Sequence, residues 1–208
     1  MQLKINNLDI FCHEQQLINN FNLHVNKGQI IIITGENGCG KTTLLRTIAH
    51  YQNKNIKFTI NNESAPLTYY SHYIGHKFAM NDYLTVEENL LFWLKFFNKD
   101  PSICENIIKK FNLAKLLDIN FSNLSMGQKK IVSLTRLLIE QRPIWLLDEP
   151  FSGLDSKNYN IIKDLILNQA NNLTGIIILT NPTPFDLPTA KVINLQDFKN
   201  VSNFFTGY

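Results

Sequence analysis

Eight residues near the start of the chain have the types and spacing that hold phosphate. Residues 35–42 read GENGCGKT, which fits the pattern GxxxxGK[ST] between a predicted strand and a predicted helix. The glycines let backbone N–H groups point inward, Lys41 reaches the β and γ phosphates, and the Thr42 hydroxyl serves Mg²⁺. Residues 98–100 read NKD and do not form the Asn-Lys-x-Asp base reader of GTPases, so ATP is the predicted nucleotide. The predicted phosphate-binding residues are Gly35, Glu36, Asn37, Gly38, Cys39, Gly40, Lys41, Thr42 and Thr43.

Two adjacent carboxylates, Asp148 and Glu149, end the apolar stretch that begins at residue 144. At the end of a strand, Asp148 can hold Mg²⁺ through water, and Glu149 can orient or deprotonate a water for in-line attack on a phosphate. An Asp-Glu pair after a strand also occurs as a solvated turn or a helix cap, and the phosphate loop is what favours catalysis here. The sequence therefore predicts Lys41, Asp148 and Glu149 as catalytic residues, with Thr42 and Asp148 as ligands of Mg²⁺.

The composition limits the class of protein and its partners. With 208 residues, 44% hydrophobic and 18% charged, one packed domain spanning 1–208 is expected. The net charge of +3 comes from scattered Lys and Arg, which does not indicate nucleic acid or anionic lipid as a partner. Three widely spaced cysteines without a CxxC pair indicate neither a disulfide framework nor a zinc site and fit a reducing compartment. The longest aliphatic runs have four residues, so another chain must supply any membrane span.

The residues with chemical roles need elements to position them. Short apolar runs rich in β-branched residues predict buried strands at 29–34, 67–74, 144–148, 175–180 and 191–195. Helical patterns separate them, at 41–50, 85–97, 102–117, 126–140 and 156–171. This alternation predicts an α/β fold with a mostly parallel sheet. The strand pattern is missing between 84 and 121, which predicts a helical subdomain at about 84–140 inserted in the core. Segments 3–11 and 21–25 predict an N-terminal antiparallel β lobe.

A second glycine-marked segment, LSMGQ at 124–128, opens the helix predicted at 126–140. Its Ser hydroxyl and Gly N–H would lie at a positive helix end that attracts an anion, although such a segment alone also serves as an ordinary helix cap. The phosphate loop already holds the phosphates, and the helical insert separates the two segments. A head-to-tail pair of chains would let both segments contact phosphate. Each chain would place Ser125, Gly127 and Gln128 against the phosphate loop of the other.

Taken together, these motifs resemble those of the ABC ATPase family over essentially the whole chain. In family order they are the Walker A loop at 35–42, the signature at 124–128 with Met126 in place of a glycine, the Walker B strand at 144–148, Glu149 and the D-loop SGLD at 152–155. The resemblance implies a P-loop NTPase core, ATP and Mg²⁺ as cofactors, and a homodimer through the ATP sites. It also implies membrane-spanning transporter subunits as partners and a peripheral position on the cytoplasmic face of the inner (plasma) membrane.

Within this family the chain is most similar to the ATP-binding subunits of haem exporters in cytochrome c biogenesis. The similarity rests on YIGH at 73–76, on LT at 84–85, on ENL at 88–90 and FW at 92–93, and on Trp145 inside the Walker B strand. It implies haem export, with haem handled by the membrane partners and not bound by this chain. Two alternatives stay open: the ATPase of another ABC transporter with a different cargo, and a soluble ABC ATPase of translation or DNA repair. Proteins of that last class usually carry two cassettes or a long coiled-coil insert, and this sequence has neither.

Three positions depart from the family pattern or leave a role open. His76 stands where most ABC ATPases have the Q-loop glutamine, as it does in the haem-exporter branch. Asn181 replaces the switch histidine expected after the strand at 175–180, and the resemblance places the adenine-stacking aromatic near Phe11. His76, Asn181 and Phe11 are therefore candidate nucleotide-binding residues. Cys39 lies at a helix N-terminus, which favours a thiolate and predicts a reactive thiol in the phosphate loop.

The helix predicted at 85–97 carries a cluster of aromatic side chains. These are Phe92, Trp93, Phe96 and Phe97. Packing within the helical insert is the favoured interpretation, and a groove that receives a helix of a membrane subunit is the alternative. His72 is disfavoured as a haem ligand, since the membrane partner handles the cargo in ABC systems.

Overall fold

The computed structural model of the protein describes residues 1–50, 55–171, 173–183, 185 and 187–198. Its main sheet has five parallel strands in the order β6-β7-β8-β3-β9. The strands are β3 (Ile30–Thr34), β6 (Ser71–Ile74), β7 (Ile144–Asp148), β8 (Ile176–Thr180) and β9 (Ala190–Asn194). Every residue of β3, β7 and β8 is buried, which explains their unbroken apolar runs, because a central parallel strand is covered on both faces.

A second, antiparallel sheet has the strand order β2-β1-β4-β5. Its strands are β1 (Gln2–Cys12), β2 (Gln15–Asn26), β4 (Ile56–Ile60) and β5 (Glu63–Ser64). In β1 and β2 buried residues alternate for the most part with exposed ones, the pattern of a sheet with one face on the core. This sheet is the predicted N-terminal lobe, and it is larger than predicted because both hairpin strands are longer and β4 and β5 join them.

Helices cover both faces of the main sheet. They are α1 (Lys41–His50), α2 (Leu67–Tyr70), α3 (Val86–Phe96), α4 (Ile103–Phe111), α5 (Met126–Leu134), α6 (Arg136–Ile139) and α7 (Ser156–Asn171). Alternate β3 residues face two cores: Ile31 and Ile33 pack with α1 and the antiparallel sheet, and Ile30 and Ile32 pack with α3 to α7. In the part of the chain that the structure describes, no helix has both the length and the apolar character to cross a bilayer.

The strand predicted at 67–74 is wrong in its first half. Leu67–Tyr70 form the short helix α2 after Pro66, and only Ser71–Ile74 form a strand. Ser71 pairs with Ile144, the first residue of β7, so the residues before Ser71 lie beyond the start of that strand. Proline at the start favours a helical turn there, because its ring fixes φ and its missing N–H is not needed.

Two predicted helices are shorter than expected. The one at 102–117 ends at Phe111, because Asn112 adopts a left-handed backbone with φ of 54° and caps the helix. The one at 126–140 is divided at Thr135 into α5 and α6. Thr135 donates its hydroxyl hydrogen to the Val132 carbonyl, a local side-chain bond that competes with the regular helical pattern.

The predicted fold class is confirmed: the chain has an α/β core with a parallel sheet and an antiparallel N-terminal sheet. The helix predicted at 85–97 forms as α3, where Thr85 and Glu88 make a reciprocal capping box. Helices α3 to α6 follow one another between β6 and β7. The boundary of a helical subdomain at about 84–140 stays a prediction.

Candidate active site

The phosphate loop connects the end of β3 to the start of α1. Gly35 and Gly38 have φ of 142° and 79°, values that L side chains rarely adopt. A Cβ on Gly35 would lie 2.8 Å from the Cys39 Sγ, so the loop also needs glycine there for space. Lys41 is buried, and its Nζ donates to the carbonyls of Gly35 and Glu36 at 2.7 and 2.9 Å. The backbone of the loop therefore surrounds the Lys41 ammonium group.

Asp148 is the centre of the site, at the carboxyl end of β7. Its Oδ2 accepts a hydrogen bond from Thr42 Oγ1 at 2.9 Å and lies 3.3 Å from His76 Nε2. Its Oδ1 accepts one from Thr180 Oγ1 at 2.8 Å. The carboxylate is buried, whereas the His76 side chain is 56% exposed. The site thus gathers the ends of β7 and β8, the start of α1 and the segment after β6 around one carboxylate.

Glu149 follows Asp148 in a left-handed backbone conformation, with φ of 48°. Its N–H donates to Thr180 Oγ1 at 3.0 Å, and the Asp148 carbonyl accepts from Lys130 Nζ at 3.2 Å. The pKa of Lys130 is lowered by burial, and the Asp148 and Glu149 carboxylates offset only part of this effect. The backbone at the end of β7 is therefore held by two side chains from other elements.

A cleft of about 520 Å³ brings part of the phosphate loop together with His76 and Glu149. Its lining is Cys12, Gln15, Leu17, Asn37, Gly38, Gly40, Lys41, Thr42, Thr43, His76 and Glu149. Phosphate-loop residues and Glu149 thus share one opening with the turn between β1 and β2. A neighbouring cleft of about 430 Å³ holds Gly35 and Glu36 together with Pro182 and Thr183.

Phe11 and Cys39 are among the predicted residues that do not line this cleft. Phe11, near the end of β1, has a side chain that is 58% exposed, and its neighbour Cys12 is the one that lines the cleft. Cys39 is only 1% exposed and packs in the core below the loop. The expectation of a reactive Cys39 thiol is therefore wrong, because reaction requires access as well as a thiolate.

The LSMGQ segment begins α5, outside the lining of this cleft. Ser125 accepts from the Gln128 N–H at 3.3 Å, and Gln128 Oε1 accepts from the Ser125 N–H at 2.9 Å, a capping box. A Cβ on Gly127 would run into the Gly153 carbonyl oxygen, so the D-loop backbone lies directly against this glycine. Met126 is 67% exposed. The segment therefore places the capped N-terminus of α5 at the surface of the chain.

Asn181 is held by its own turn. Its N–H donates to the Ile33 carbonyl at 3.0 Å, and its side-chain Nδ2 donates to the Thr183 carbonyl at 2.6 Å. Its backbone is thus fixed to β3, which leads into the phosphate loop. The side chain completes a short turn beside the site.

His72 and the aromatic cluster lie outside the lining of both clefts. His72 is buried in β6, and its Nε2 lies 2.6 Å from the Glu140 carbonyl oxygen. Burial lowers its pKa to about 4, against a smaller raising effect of that hydrogen bond. On α3, Trp93 donates to the Ala79 carbonyl at 3.0 Å and stacks with the Arg136 guanidinium at 4.4 Å. Phe96, by contrast, is 64% exposed.

Sequence reasoning missed Thr180 and Lys130. Thr180 ends β8, and the carboxyl ends of neighbouring parallel strands meet at one edge, so the pairing of Asp148 with Thr180 was available as a signal. Lys130 is spaced four residues before the buried Leu134, which places it on the inward face of α5. A lysine on an apolar face is a signal for a buried partner.

The fold and these contacts define the class of P-loop ATPases. The family described as ABC transporter matches residues 18–152. The chain is 36% identical over 200 residues to the cytochrome c biogenesis ATP-binding export protein CcmA of Rickettsia bellii, across 93% of this chain and 97% of that protein. It is 36% identical over 173 residues to the protein of the same name from Bartonella quintana, across 82% of this chain and 83% of that one. The chain therefore belongs to the ABC transporter family, in the branch of the cytochrome c biogenesis ATP-binding export proteins.

Solved structures agree with this fold. A protein from Pyrococcus furiosus described as an ABC transporter ATP-binding protein superposes with a TM-score of 0.80 at 20% identity, across 96% of this chain and all of that one. The ATP binding subunit of an ABC transporter superposes with a TM-score of 0.72 at 23% identity, across 87% of this chain and 80% of that one. The predicted family and ATPase activity are thereby confirmed: the chain is an ATP-binding and ATP-hydrolysing member of the ABC family, which generally uses ATP with Mg²⁺.

Proposed function

We propose that this chain is the ATPase subunit of a haem exporter in cytochrome c biogenesis and that it drives a separate membrane-spanning subunit. Its support is the similarity, over most of the chain, to proteins named for ATP-binding export in cytochrome c biogenesis. In this role the chain acts as a peripheral protein on the cytoplasmic face of the inner membrane. The membrane subunits handle the haem, and this chain supplies the free energy of ATP hydrolysis.

The observation that carries the ATPase chemistry is that Lys41, Thr42 and Glu149 line one cleft and that Thr42 is in contact with Asp148. Thr42 and Asp148 place oxygen atoms 2.9 Å apart, and hydroxyl and carboxylate oxygens are the ligands that Mg²⁺ prefers. These two residues would hold Mg²⁺, which when bound neutralises phosphate charge during phosphoryl transfer. The residues present therefore fit the metal–nucleotide pair.

The side chains divide the work of hydrolysis. The Lys41 ammonium binds the β and γ phosphates, and the loop N–H groups that Gly38 and Gly40 leave accessible orient them. The Glu149 carboxylate, which lines the same cleft, orients the attacking water and accepts its proton. His76 and Asn181 are assigned to the surroundings of the γ-phosphate, and Phe11 to the adenine.

The second half of each site comes from another copy of the chain. Ser125, Gly127 and Gln128 stand at the exposed N-terminus of the nine-residue helix α5, where N–H groups and the helix dipole favour an anion. They begin a helix outside the cleft that Lys41 and Glu149 line. We therefore assign them to the phosphates held by the opposite chain in a head-to-tail homodimer.

The test of the ATP site uses Glu149→Gln, which removes the base and keeps the shape of the side chain. With Mg-ATP at saturation, light scattering is expected to detect a dimer of this variant and a monomer after exchange into ADP. Ser125→Ala in the Glu149→Gln background should abolish the dimer if the signature residues reach the opposite nucleotide. A Glu149→Gln chain that remains monomeric with ATP bound contradicts the composite site.

The test of the haem-exporter assignment is co-expression with the membrane subunits of such an exporter. The tagged chain should be recovered with the membrane fraction only when those subunits are present, and they should raise its ATPase rate. Membrane subunits of an unrelated ABC exporter serve as the control. Recovery with the unrelated subunits, and not with the haem-exporter subunits, would assign this ATPase to another cargo.

A further inference from the structure

We propose that Lys130 and Thr180 form a clamp on the peptide bond between Asp148 and Glu149 and that Lys130 is a positioning residue for hydrolysis. The inference rests on the proposed role of Glu149 as the base. Lys130 lies on α5, two residues after Gln128, and reaches the end of β7 from the opposite side of that peptide to Thr180. Neither residue is assigned to the nucleotide itself.

The clamped peptide precedes a backbone conformation that needs support. Glu149 has φ of 48°, which a non-glycine residue adopts only at a cost in free energy. Such conformations persist where surrounding contacts determine them, and they cluster at functional sites. Here the left-handed turn is what changes the chain direction right after β7 and sends the Glu149 side chain into the cleft.

Both polar groups of this peptide are fixed by side chains. The Asp148 carbonyl accepts from Lys130 Nζ at 3.2 Å, and the Glu149 N–H donates to Thr180 Oγ1 at 3.0 Å. The Thr180 hydroxyl in turn donates to Asp148 Oδ1 at 2.8 Å, which fixes its own orientation. Rotation of the peptide plane would break the Lys130 and Thr180 contacts together, so the two contacts determine where Glu149 points.

The place of Lys130 in the core points to this role and not to general stability. The residue is only 5% exposed, and its Nζ lies 5.9 Å from the centre of the Phe78 ring. Burying an ammonium group loses its hydration, so a buried lysine needs a specific partner, here the Asp148 carbonyl. A second contact holds α5 against the same segment, since the D-loop carbonyl of Gly153 packs on Gly127. Helix α5, which carries Lys130, is therefore held in place against the D-loop.

The variants that test the clamp are Lys130→Met, which keeps the apolar stem and removes the donor, and Lys130→Arg, which keeps a cationic donor. Lys129→Met is the matched control, because Lys129 is the adjacent lysine on α5 and its Nζ lies over the Phe121 ring. Steady-state and single-turnover hydrolysis by the full chain are measured with Glu149→Gln as the reference. The melting temperature, the ATP affinity and the Mg²⁺ dependence of each variant are measured alongside.

Lys130→Met is expected to lower kcat about 10- to 100-fold, the scale of a displaced catalytic group, with KM and Mg²⁺ dependence close to wild type. Its melting temperature should fall only slightly, because the Asp148 carbonyl loses one donor, whereas Lys130→Arg should recover most of the rate and Lys129→Met should match wild type. Because Thr180→Ser keeps the acceptor and Thr180→Val removes it, only Thr180→Val should lose rate, which provides a second test if Lys130→Met does not fold.

Three results would overturn the clamp. A folded Lys130→Met with wild-type kcat shows that the ammonium does not position the base. If Lys130→Met loses stability, ATP affinity and rate in parallel, and Lys130→Arg does not recover them, Lys130 has only a structural role. If Glu149→Gln itself hydrolyses ATP at the wild-type rate, the assignment of the base fails first, and a loss confined to Lys130→Met would then have another cause.

Discussion

Thr42 Oγ1 donates a hydrogen bond to Asp148 Oδ2 at 2.9 Å, although the two residues are 106 positions apart in the chain. Thr42 lies in the first turn of α1, and Asp148 is the last residue of β7. The helix after β3 and the carboxyl end of β7 meet at the same edge of the parallel sheet. The two residues predicted to bind Mg²⁺ are therefore in direct contact, and each can be changed separately.

Asp148→Asn removes the charge and keeps an oxygen that can accept from Thr42. The Mg²⁺ concentration for half-maximal ATP hydrolysis should rise at least about tenfold, since even outer contacts of a metal site typically cost this much. Thr42→Ser, which keeps the hydroxyl, should titrate like wild type, and Thr42→Val should resemble Asp148→Asn. A wild-type Mg²⁺ profile for Asp148→Asn would remove Asp148 from the metal site.

The three cysteines should react at different rates with a thiol reagent. Cys12 is exposed and lines the cleft, whereas Cys39 and Cys104 are buried, and burial raises the pKa of Cys104. Brief treatment of the native chain with N-ethylmaleimide should therefore modify Cys12 first, weaken ATP binding, and proceed more slowly with ATP present. Mass spectrometry of peptides identifies the site, and Cys12→Ser is the control. Modification of Cys39 ahead of Cys12 would contradict the packing of the loop.

Much of the fold could be predicted because its determinants are local. A buried parallel strand such as β3 must be apolar throughout, so its sequence IIII identifies it directly. The phosphate loop is equally local, since the glycines and Lys41 are close in sequence. Asp148 was predicted because it ends an apolar strand in a chain that has a phosphate loop, and the structure places it in contact with Thr42 of that loop.

The remaining features depend on partners that the sequence does not reveal. The aromatic and β-branched residues at 67–70 look like a strand, but β7 is too short to pair with them, so they become a helix. Lys130 looks like half of a solvated lysine pair, and only the packing of α5 against β7 buries it. The conformation of Glu149 likewise depends on Thr180 and Lys130, which lie in two other elements.

Stability should fall in mild acid because of His72. Burial lowers its pKa to about 4 in the folded chain, below the value of 6.5 that an unperturbed histidine has. The unfolded chain therefore binds the proton more tightly, and stability is lost as pH falls from about 6.5 to about 4, by about 3 kcal/mol in total. Melting temperatures from pH 7.5 to 4.5 measure this loss.

The variant His72→Gln should flatten that pH dependence, because glutamine keeps an N–H donor for the Glu140 carbonyl and does not titrate. His24→Gln is the control, since His24 is exposed and should leave the wild-type slope. An equal slope for His72→Gln and wild type would assign the acid sensitivity to other groups.

Asn181 offers a gain-of-function test, because the family resemblance places a histidine at this position in most relatives. A histidine can bridge the γ-phosphate and the attacking water and can carry positive charge as the transition state develops, whereas an amide is shorter and stays neutral. In this chain the Asn181 side chain donates to the Thr183 carbonyl at 2.6 Å, while its N–H anchors the residue to Ile33 at the base of the phosphate loop. The Asn181 amide is thus fixed in place, and its N–H group is used by a hydrogen bond within the local turn.

Since Lys41, Thr42 and Asp148 are present, binding of ATP should be ordinary and turnover slow. Positioned acid–base groups typically contribute about 10² to 10⁴ in rate, so Asn181→His should raise kcat clearly and leave KM nearly unchanged.

An unchanged or lower kcat in a folded, ATP-binding Asn181→His chain would show that Asn181 serves only its turn. The γ-phosphate would then be served by another residue, and His76→Gln, which alters the side chain 3.3 Å from Asp148, would have to lower kcat in the same assay.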